Sequence, residues 1–372
     1  MRIAFVLGTR PEIIKTAPLV FESARQEIDF EIVHTGQHYD WAMDGQFFSQ
    51  LGLPKPAVVL ASGGKPYAEL FAYLLRELQA VLGERRPDAV VVQGDTVTVL
   101  AGALAARAVG IPVVHHEAGL RSRDLHMSEE YHRIIVDHMS DILCAPTDDA
   151  YANLRNEGVP AARVRMTGNT IVDAVRHFVA AANGTSDVHA RLGVVPSAYF
   201  LLTFHRAENV DRRERFAACL ESLRRVRDTH PDRPILFPVH PRVERRRAEF
   251  GFGWPEGVVV LDPLGYLDML KLVADADAVL TDSGGIQEES AILGTPCVTL
   301  RDSTERPEAV ASGANIVAGV EPAAVSAAVA AMRGKRFPPS SAYGDGAAAA
   351  RVVAAVRDAA AGSDGSKRQI LL

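Results

Sequence analysis

The chain has little cysteine: three residues in 372, Cys144, Cys219 and Cys297, odd in number and without CxxC spacing. That excludes a disulfide framework and predicts core thiols of a reduced, cytoplasmic protein without a metal site. Long apolar runs are missing, since none approaches the roughly 18 residues that cross a bilayer, so no membrane partner is expected. The first run, residues 3–7, turns at Gly8 and is too short for a signal-peptide core. There is no excess of positive charge either. Lys and Arg number 40 against 46 Asp and Glu, a balance of −6 that argues against nucleic acid as a partner. A small anion stays compatible with it, because helix-end amides and a few arginines can bind one locally. GxGxxG, GxxxxGK(S/T) and HExxH are also absent, which argues against a standard dinucleotide site, a P-loop or a zinc-protease helix.

What the chain has is alternation. Apolar runs at 3–7, 30–34, 89–92, 112–116, 141–145 and 164–167 read as strands, with helical patterns at 11–25, 67–82, 97–109, 128–139 and 147–157. Because the runs are continuous, they predict strands covered on both faces, as in a parallel sheet. After residues 180–197 the pattern restarts, with strands at 199–204, 235–239, 258–261, 278–281, 297–300 and 315–317. The expected fold class is α/β: two doubly wound, Rossmann-like domains, 1–172 and 173–346, joined near 170–175. Ligands of such sheets bind outside the carboxyl ends of the strands, which predicts a central cleft. An Ala-rich helix at about 347–362 and a polar tail at 363–372 follow.

Polar motifs gather at these strand ends. In Gly8-Thr9-Arg10-Pro11-Glu12, Thr9 and Glu12 have capping-box spacing, and the helix amides with Arg10 and Lys15 suit an anion. A capped helix with solvated basic residues would read the same way. Asp95, in Gln93-Gly94-Asp95-Thr96, either enters the crevice or caps the next helix. The neighbours His115 and His116 point to opposite faces and cannot share a metal, whereas His115 and Glu117 are expected to share a face. Ser128 is expected to cap a helix that opens with Glu129 and Glu130. His205 lies in Thr203-Phe204-His205-Arg206-Ala207-Glu208-Asn209, at the first strand end of the second half. Thr281-Asp282-Ser283-Gly284-Gly285 leads from a strand into a helix, where bare amides can approach a diphosphate and Glu289 can reach a ribose hydroxyl. Acids in one half and a phosphate cradle in the other suit a nucleotide-linked small molecule.

These motifs, with His116-Glu117-Ala118-Gly119-Leu120-Arg121, Thr167-Gly168-Asn169-Thr170, Asp282-Ser283-Gly284-Gly285-Ile286-Gln287-Glu288-Glu289 and Thr304-Glu305-Arg306-Pro307-Glu308, resemble the UDP-N-acetylglucosamine 2-epimerase family. The match runs from Met1 through Gly346, in the whole-length, non-hydrolysing form. The resemblance implies the glycosyltransferase-B architecture, with the last helix packing back on the first domain. It implies interconversion of UDP-GlcNAc and UDP-ManNAc through 2-acetamidoglucal, without metal or nicotinamide cofactor, in a homodimer. It assigns Asp95 and Glu129 to acid/base work at C2 and Glu117 to charge stabilisation or proton transfer. His205 would lie near the diphosphate, and Arg10 and Lys15 would contact ligand. Ser283, Gly284 and Gly285 would form the phosphate cradle, Glu289 would meet the ribose, Arg306 the UDP, and Leu264 and Met269 the uracil side.

Two departures stand out. The family's Pro-Glu-Glu-x-Asn-Arg is Ser128-Glu129-Glu130-Tyr131-His132-Arg133 here, which leaves the acids and Arg133 in register but alters the loop carrying Glu129. Some bacterial members build an allosteric UDP-GlcNAc site from Gln-His-Arg-Glu-Met and a later Arg. Here Gln37-His38-Tyr39-Asp40-Trp41 and Tyr73 stand there, which predicts weak or absent activation of that kind. Four other readings share these residues: a hydrolysing epimerase releasing UDP and free ManNAc, the same reaction on a related UDP-hexosamine derivative, a glycosyltransferase, and a non-catalytic UDP-sugar sensor.

Overall fold

A strand that is apolar at every position is stable only with both faces covered. In β1 (Arg2–Leu7) all residues after Arg2 are buried. The computed structural model describes residues 1–36 and 41–362, and the chain divides into two units, Met1–Ala174 with the chain from Gly344 on, and Val175–Tyr343. The expected tail at 363–372 and most of the 37–41 stretch lie outside the described residues.

The first unit adds β2 (Asp29–His34), β3 (Val58–Val59), β4 (Ala89–Gln93), β5 (Val113–His116), β6 (Ile142–Ala145) and β7 (Val164–Met166). They form one sheet in the order β3-β2-β1-β4-β5-β6-β7, every pairing parallel. Helix Tyr67–Arg85 buries Leu70, Leu74, Leu78 and Leu82, a four-residue spacing that keeps one stripe on the sheet. Helix Ala348–Ala361 packs on helix Arg10–Arg25 and behind β4–β6. Asp173 anchors its start, accepting the amides of Ala348 at 3.3 Å and Ala349 at 3.1 Å.

The second unit contains β8 (Phe200–Thr203), β9 (Ile235–Pro238), β10 (Val258–Leu261), β11 (Ala278–Thr281), β12 (Cys297–Thr299) and β13 (Asn315–Val317). Their order is β10-β9-β8-β11-β12-β13, again all parallel. Phe204, Phe216 and Phe237 fill its core beside Val325 and Val329. Both sheets thus reverse strand order once, between β1 and β4 and between β8 and β11. Crossovers leave to opposite faces there, opening a crevice at the carboxyl ends.

Among the described residues no helix is long and apolar enough to cross a membrane, and no acid, His and Cys cluster could hold a metal. The three cysteines are free and buried, and burial pushes each thiol up to about 12.

Two glycines are dictated by space. A Cβ on Gly8 would lie 2.1 Å from Thr35 Oγ1, so the chain leaving β1 passes too close for any side chain. Gly119 has φ +85°, and a Cβ there would lie 2.3 Å from the Ala150 carbonyl oxygen. Gly119→Ala is expected to destabilise the protein by more than about 1 kcal/mol, because both conformation and space oppose the methyl. The shift in urea midpoint at constant slope measures it.

Candidate active site

The crevice edge of the first unit starts with Glu12. Its carboxylate accepts the amides of Gly8 at 2.6 Å and Thr9 at 3.3 Å, so those amides serve the cap instead of standing free for an anion. Burial pushes Glu12 up to about 7, against the pull of these hydrogen bonds. Arg10 is different. Its guanidinium lies 5.4 Å from the Phe47 ring centre, its Nε is buried without a hydrogen bond, and no carboxylate pairs with it among the described residues.

Glu117 follows β5 with φ +68°, in the left-handed region. The alternation of the strand ends before it, so the expectation that His115 and Glu117 share a face is corrected: they serve separate partners. Lys15 Nζ donates to Glu117 at 2.5 Å, Asn169 Nδ2 at 3.3 Å, and Gln93 Nε2 donates to its other oxygen. Thr170 Oγ1 donates to the Lys15 carbonyl at 2.6 Å and therefore accepts from His116 Nε2 at 2.7 Å. Burial lowers His116 to about 4, which keeps the ring neutral for that role. His115 instead faces Asp137 Oδ1 at 2.7 Å and the Gly94 carbonyl at 2.8 Å. Asp137 also takes Arg121 at 2.8 Å and the Gly119 amide at 3.1 Å, which ties down the turn carrying Glu117.

Asp95 follows β4. Thr96, not Asp95, caps the next helix, accepting the Val99 amide at 3.4 Å. The Asp95 carboxylate is left to pair with Arg133. Helix Ser128–Met139 is preceded by Met127 as its N-cap residue, so the expected Ser128 cap is corrected: Ser128 is the first helical residue and donates to Glu129 at 3.0 Å. The two acids diverge. Glu130 is buried and accepts the amides of Ser122 at 2.9 Å and Arg123 at 2.8 Å, while Glu129 stays exposed. His132 and Tyr67 complete the corner, with ring centres 5.7 Å apart and nearly parallel. Burial, with Tyr131 and Glu129 nearby, pushes the Tyr67 hydroxyl up to about 12.

In the second unit, Asp282 is fully buried after β11 and accepts the amides of His205 at 3.0 Å and Arg206 at 2.9 Å, and Asn209 Nδ2 at 3.0 Å. It locks the end of β8 to the end of β11. His205 Nδ1 lies 3.4 Å from the same carboxylate, and lost solvation lowers the imidazole despite it. His240, which the motifs did not single out, brings its ring centre to 6.2 Å from that of His205.

Ser283 precedes helix Gly284–Leu293 and makes no side-chain cap bond. Packing does not demand the two glycines: a Cβ on Gly284 would meet Arg306 at 3.8 Å, and one on Gly285 would meet Ser283 Oγ at 3.9 Å, both ordinary contacts. Their effect is a bare amide edge at a helix start, suited to an anion. Arg306 is paired with buried Glu288 at 2.6 Å. Glu289 accepts from the Tyr266 hydroxyl at 3.0 Å. Leu264 and Met269 pack on the cluster of Val188, Tyr199 and Leu272. Tyr73 lies under Lys65 and Arg76, with cations 5.0 Å and 5.8 Å from its ring centre.

Two all-parallel, doubly wound units, one with acids and paired bases at its sheet's reversal and the other with a bare helix start at its own, define an α/β protein. The family model for UDP-N-acetylglucosamine 2-epimerase matches residues 22–357. A UDP-N-acetylglucosamine 2-epimerase of Methanocaldococcus jannaschii is 43% identical over 359 residues, 95% of this chain and 98% of that protein. The crystal structure of the M. jannaschii UDP-GlcNAc 2-epimerase in complex with UDP-GlcNAc and UDP superposes with TM-score 0.89 at 42% identity, covering 96% of this chain and all of that one. A UDP-2,3-diacetamido-2,3-dideoxy-D-glucuronate 2-epimerase of Pseudomonas aeruginosa is 38% identical over 356 residues, 95% of this chain and 98% of that protein. The chain belongs to the UDP-N-acetylglucosamine 2-epimerase family.

The acid network has a pH signature. Burial pushes Asp137 up, but His115 and Arg121 outweigh it and hold the carboxyl below its ordinary value. Its contribution to stability is fully present above pH about 4 and is lost as pH falls through the depressed folded value. Asp137→Asn should destabilise the protein by roughly 3–5 kcal/mol at pH 7, with the difference shrinking in acid. Urea unfolding of both proteins across pH measures it.

Proposed function

We propose that this protein interconverts UDP-N-acetylglucosamine and UDP-N-acetylmannosamine without net hydrolysis. The C2 hydrogen of the sugar has no adjacent carbonyl to acidify it, so inversion there needs another route. Loss of UDP provides one: a carboxylate takes the C2 proton, the C1–O bond breaks, and UDP departs with the electron pair, leaving 2-acetamidoglucal. UDP then adds back at C1 while C2 receives a proton on the opposite face. The route needs bases at C2, a negative neighbour for the cation-like C1, and donors for the departing diphosphate.

The observation that carries this reading is that Asp95 and Glu117, after the adjacent strands β4 and β5, are held differently. Asp95 is part-exposed beside Arg133, with Glu129 exposed on the helix that carries Arg133. We assign these two to the C2 proton. Glu117, buried on Lys15, suits charge stabilisation or proton transfer. His205, Ser283, Gly284, Gly285 and Arg306 would take the diphosphate and Glu289 the ribose, with Arg10 and Lys15 as further ligand contacts and Leu264 and Met269 on the uracil side. The reading requires no metal or nicotinamide. The family resemblance adds a cytoplasmic homodimer that supplies cell-surface polysaccharide. The similarity to the P. aeruginosa protein favours one second reading, the same chemistry on a diacetamido uronate, and competition between the two UDP-sugars in one assay separates them.

Proton NMR of UDP-GlcNAc with enzyme in deuterated water is the test. UDP-ManNAc deuterated at C2 is expected, and Asp95→Asn should slow it by at least about 10²-fold, the usual share of acid–base catalysis. Accumulation of UDP with free ManNAc would instead make the enzyme hydrolysing. A further expectation concerns control: the rate curve for UDP-ManNAc alone should be hyperbolic, and a strict need for added UDP-GlcNAc would overturn it.

A further inference from the structure

Both ring nitrogens of His132 have roles fixed by their neighbours. Nδ1 lies 2.9 Å from the main-chain carbonyl oxygen of Asp95, which can only accept, so Nδ1 carries a proton. Nε2 lies 2.6 Å from the Tyr67 hydroxyl. Burial lowers the imidazole, so the ring is neutral near pH 7, Nε2 is a lone pair, and Tyr67 donates to it. With that proton used, Tyr67 can only accept from Tyr131, whose hydroxyl is 3.4 Å away. The bonds therefore run one way, from Tyr131 to Tyr67 to His132 to the Asp95 carbonyl. The Tyr67 ring lies nearly parallel to the imidazole and Tyr131 closes it edge-on, with centres 4.8 Å apart.

The neighbouring residue Arg133 holds the Asp95 carboxylate. One turn of helix thus grips Asp95 twice, by main chain through His132 and by side chain through Arg133. We propose that His132 and Tyr67 are positioning residues for Asp95: the Asp95 carbonyl sets the Nδ1–H tautomer, Tyr67 holds the ring in place by donating to Nε2, and the ring so held clamps the main chain so that the carboxylate meets the C2 proton in one geometry. This rests on the reading that Asp95 acts at C2. The charged or titratable groups facing His132 are Asp95 from the β4 end, Glu129, Tyr131 and Arg133 from its own helix, and Tyr67 from helix Tyr67–Arg85.

The test uses the shapes of two amides. In His132→Asn the side-chain nitrogen falls where Nδ1 was and keeps the clamp, whereas in His132→Gln it falls nearer the Nε2 position and loses it. Steady-state kinetics of the full-length enzyme on UDP-GlcNAc should give His132→Gln a kcat at least about tenfold lower with KM little changed, since an ångström of misplacement costs up to 10²-fold. His132→Asn should stay within about threefold of the parent by the same argument. In Tyr67→Phe the neutral ring loses its donor to Nε2 and is protonated at higher pH; the charged ring weakens Asp95 as a base, so kcat should begin to fall at higher pH and the acidic limb should move upward. Equal losses in Asn and Gln, no loss in Gln, or an unmoved acidic limb would each overturn the proposal. If His132→Gln does not fold, the limb in Tyr67→Phe decides, because that tyrosine is 46% exposed and dispensable to the core. Asp95→Asn run alongside separates the two failures. If it is active, the reading of Asp95 falls; if it is inactive while His132→Gln is fully active, only the clamp falls.

Discussion

Parallel pairing imposes the condition on which everything else in this chain depends: all strands of a sheet finish on the same edge. β1 runs in register with β4, and β8 with β11. Each of these pairs is also where the strand order reverses, so the segments leaving them diverge to opposite faces and leave room between. Arg10, Asp95, Glu117, His205 and Ser283 all lie within three residues of strand ends in the two sheets. Glu129 and Arg306 are the exceptions, each delivered by a longer connection after β5 and β12.

Placement alone would leave an unworkable density of acid, and pairing relieves it. Lys15 meets Glu117, Arg133 meets Asp95, Arg121 meets Asp137 and Arg306 meets Glu288. Buried pairs of this kind contribute little net stability, because desolvation offsets their attraction, but removing one partner is severe. Their value lies in orientation. Arg10 is the contrast, since its charge rests over an aromatic ring and not on an acid.

The fold was largely legible from the sequence because continuous apolar runs leave a parallel sheet few rivals. β3 escaped notice: Val58 and Val59 make only two residues of strand, in a segment crowded by Pro54, Pro56 and Gly63. Strand-end positions such as Asp95 and Ser283 could be read from motif spacing. Their partners could not, because Arg133 reaches Asp95 across 38 residues and Tyr67 reaches His132 across 65, and sequence periodicity carries no such information. The error at the Ser128 cap was local. Met127 occupies the cap position expected of Ser128, and Thr96 takes the cap that was one of two readings for Asp95, which leaves Asp95 to its other reading at the crevice. The shared face expected of His115 and Glu117 failed because the alternation of a strand stops where φ changes sign.

That change of sign has an evolutionary side. At φ +68° the backbone of residue 117 suits glycine, or asparagine and aspartate, better than glutamate. Aspartate would keep the charge and ease the conformation, yet its carboxylate sits one methylene short of Lys15, Gln93 and Asn169. Selection for stability and selection for reach therefore pull this position in opposite directions. A chain that keeps glutamate here has settled the contest in favour of reach.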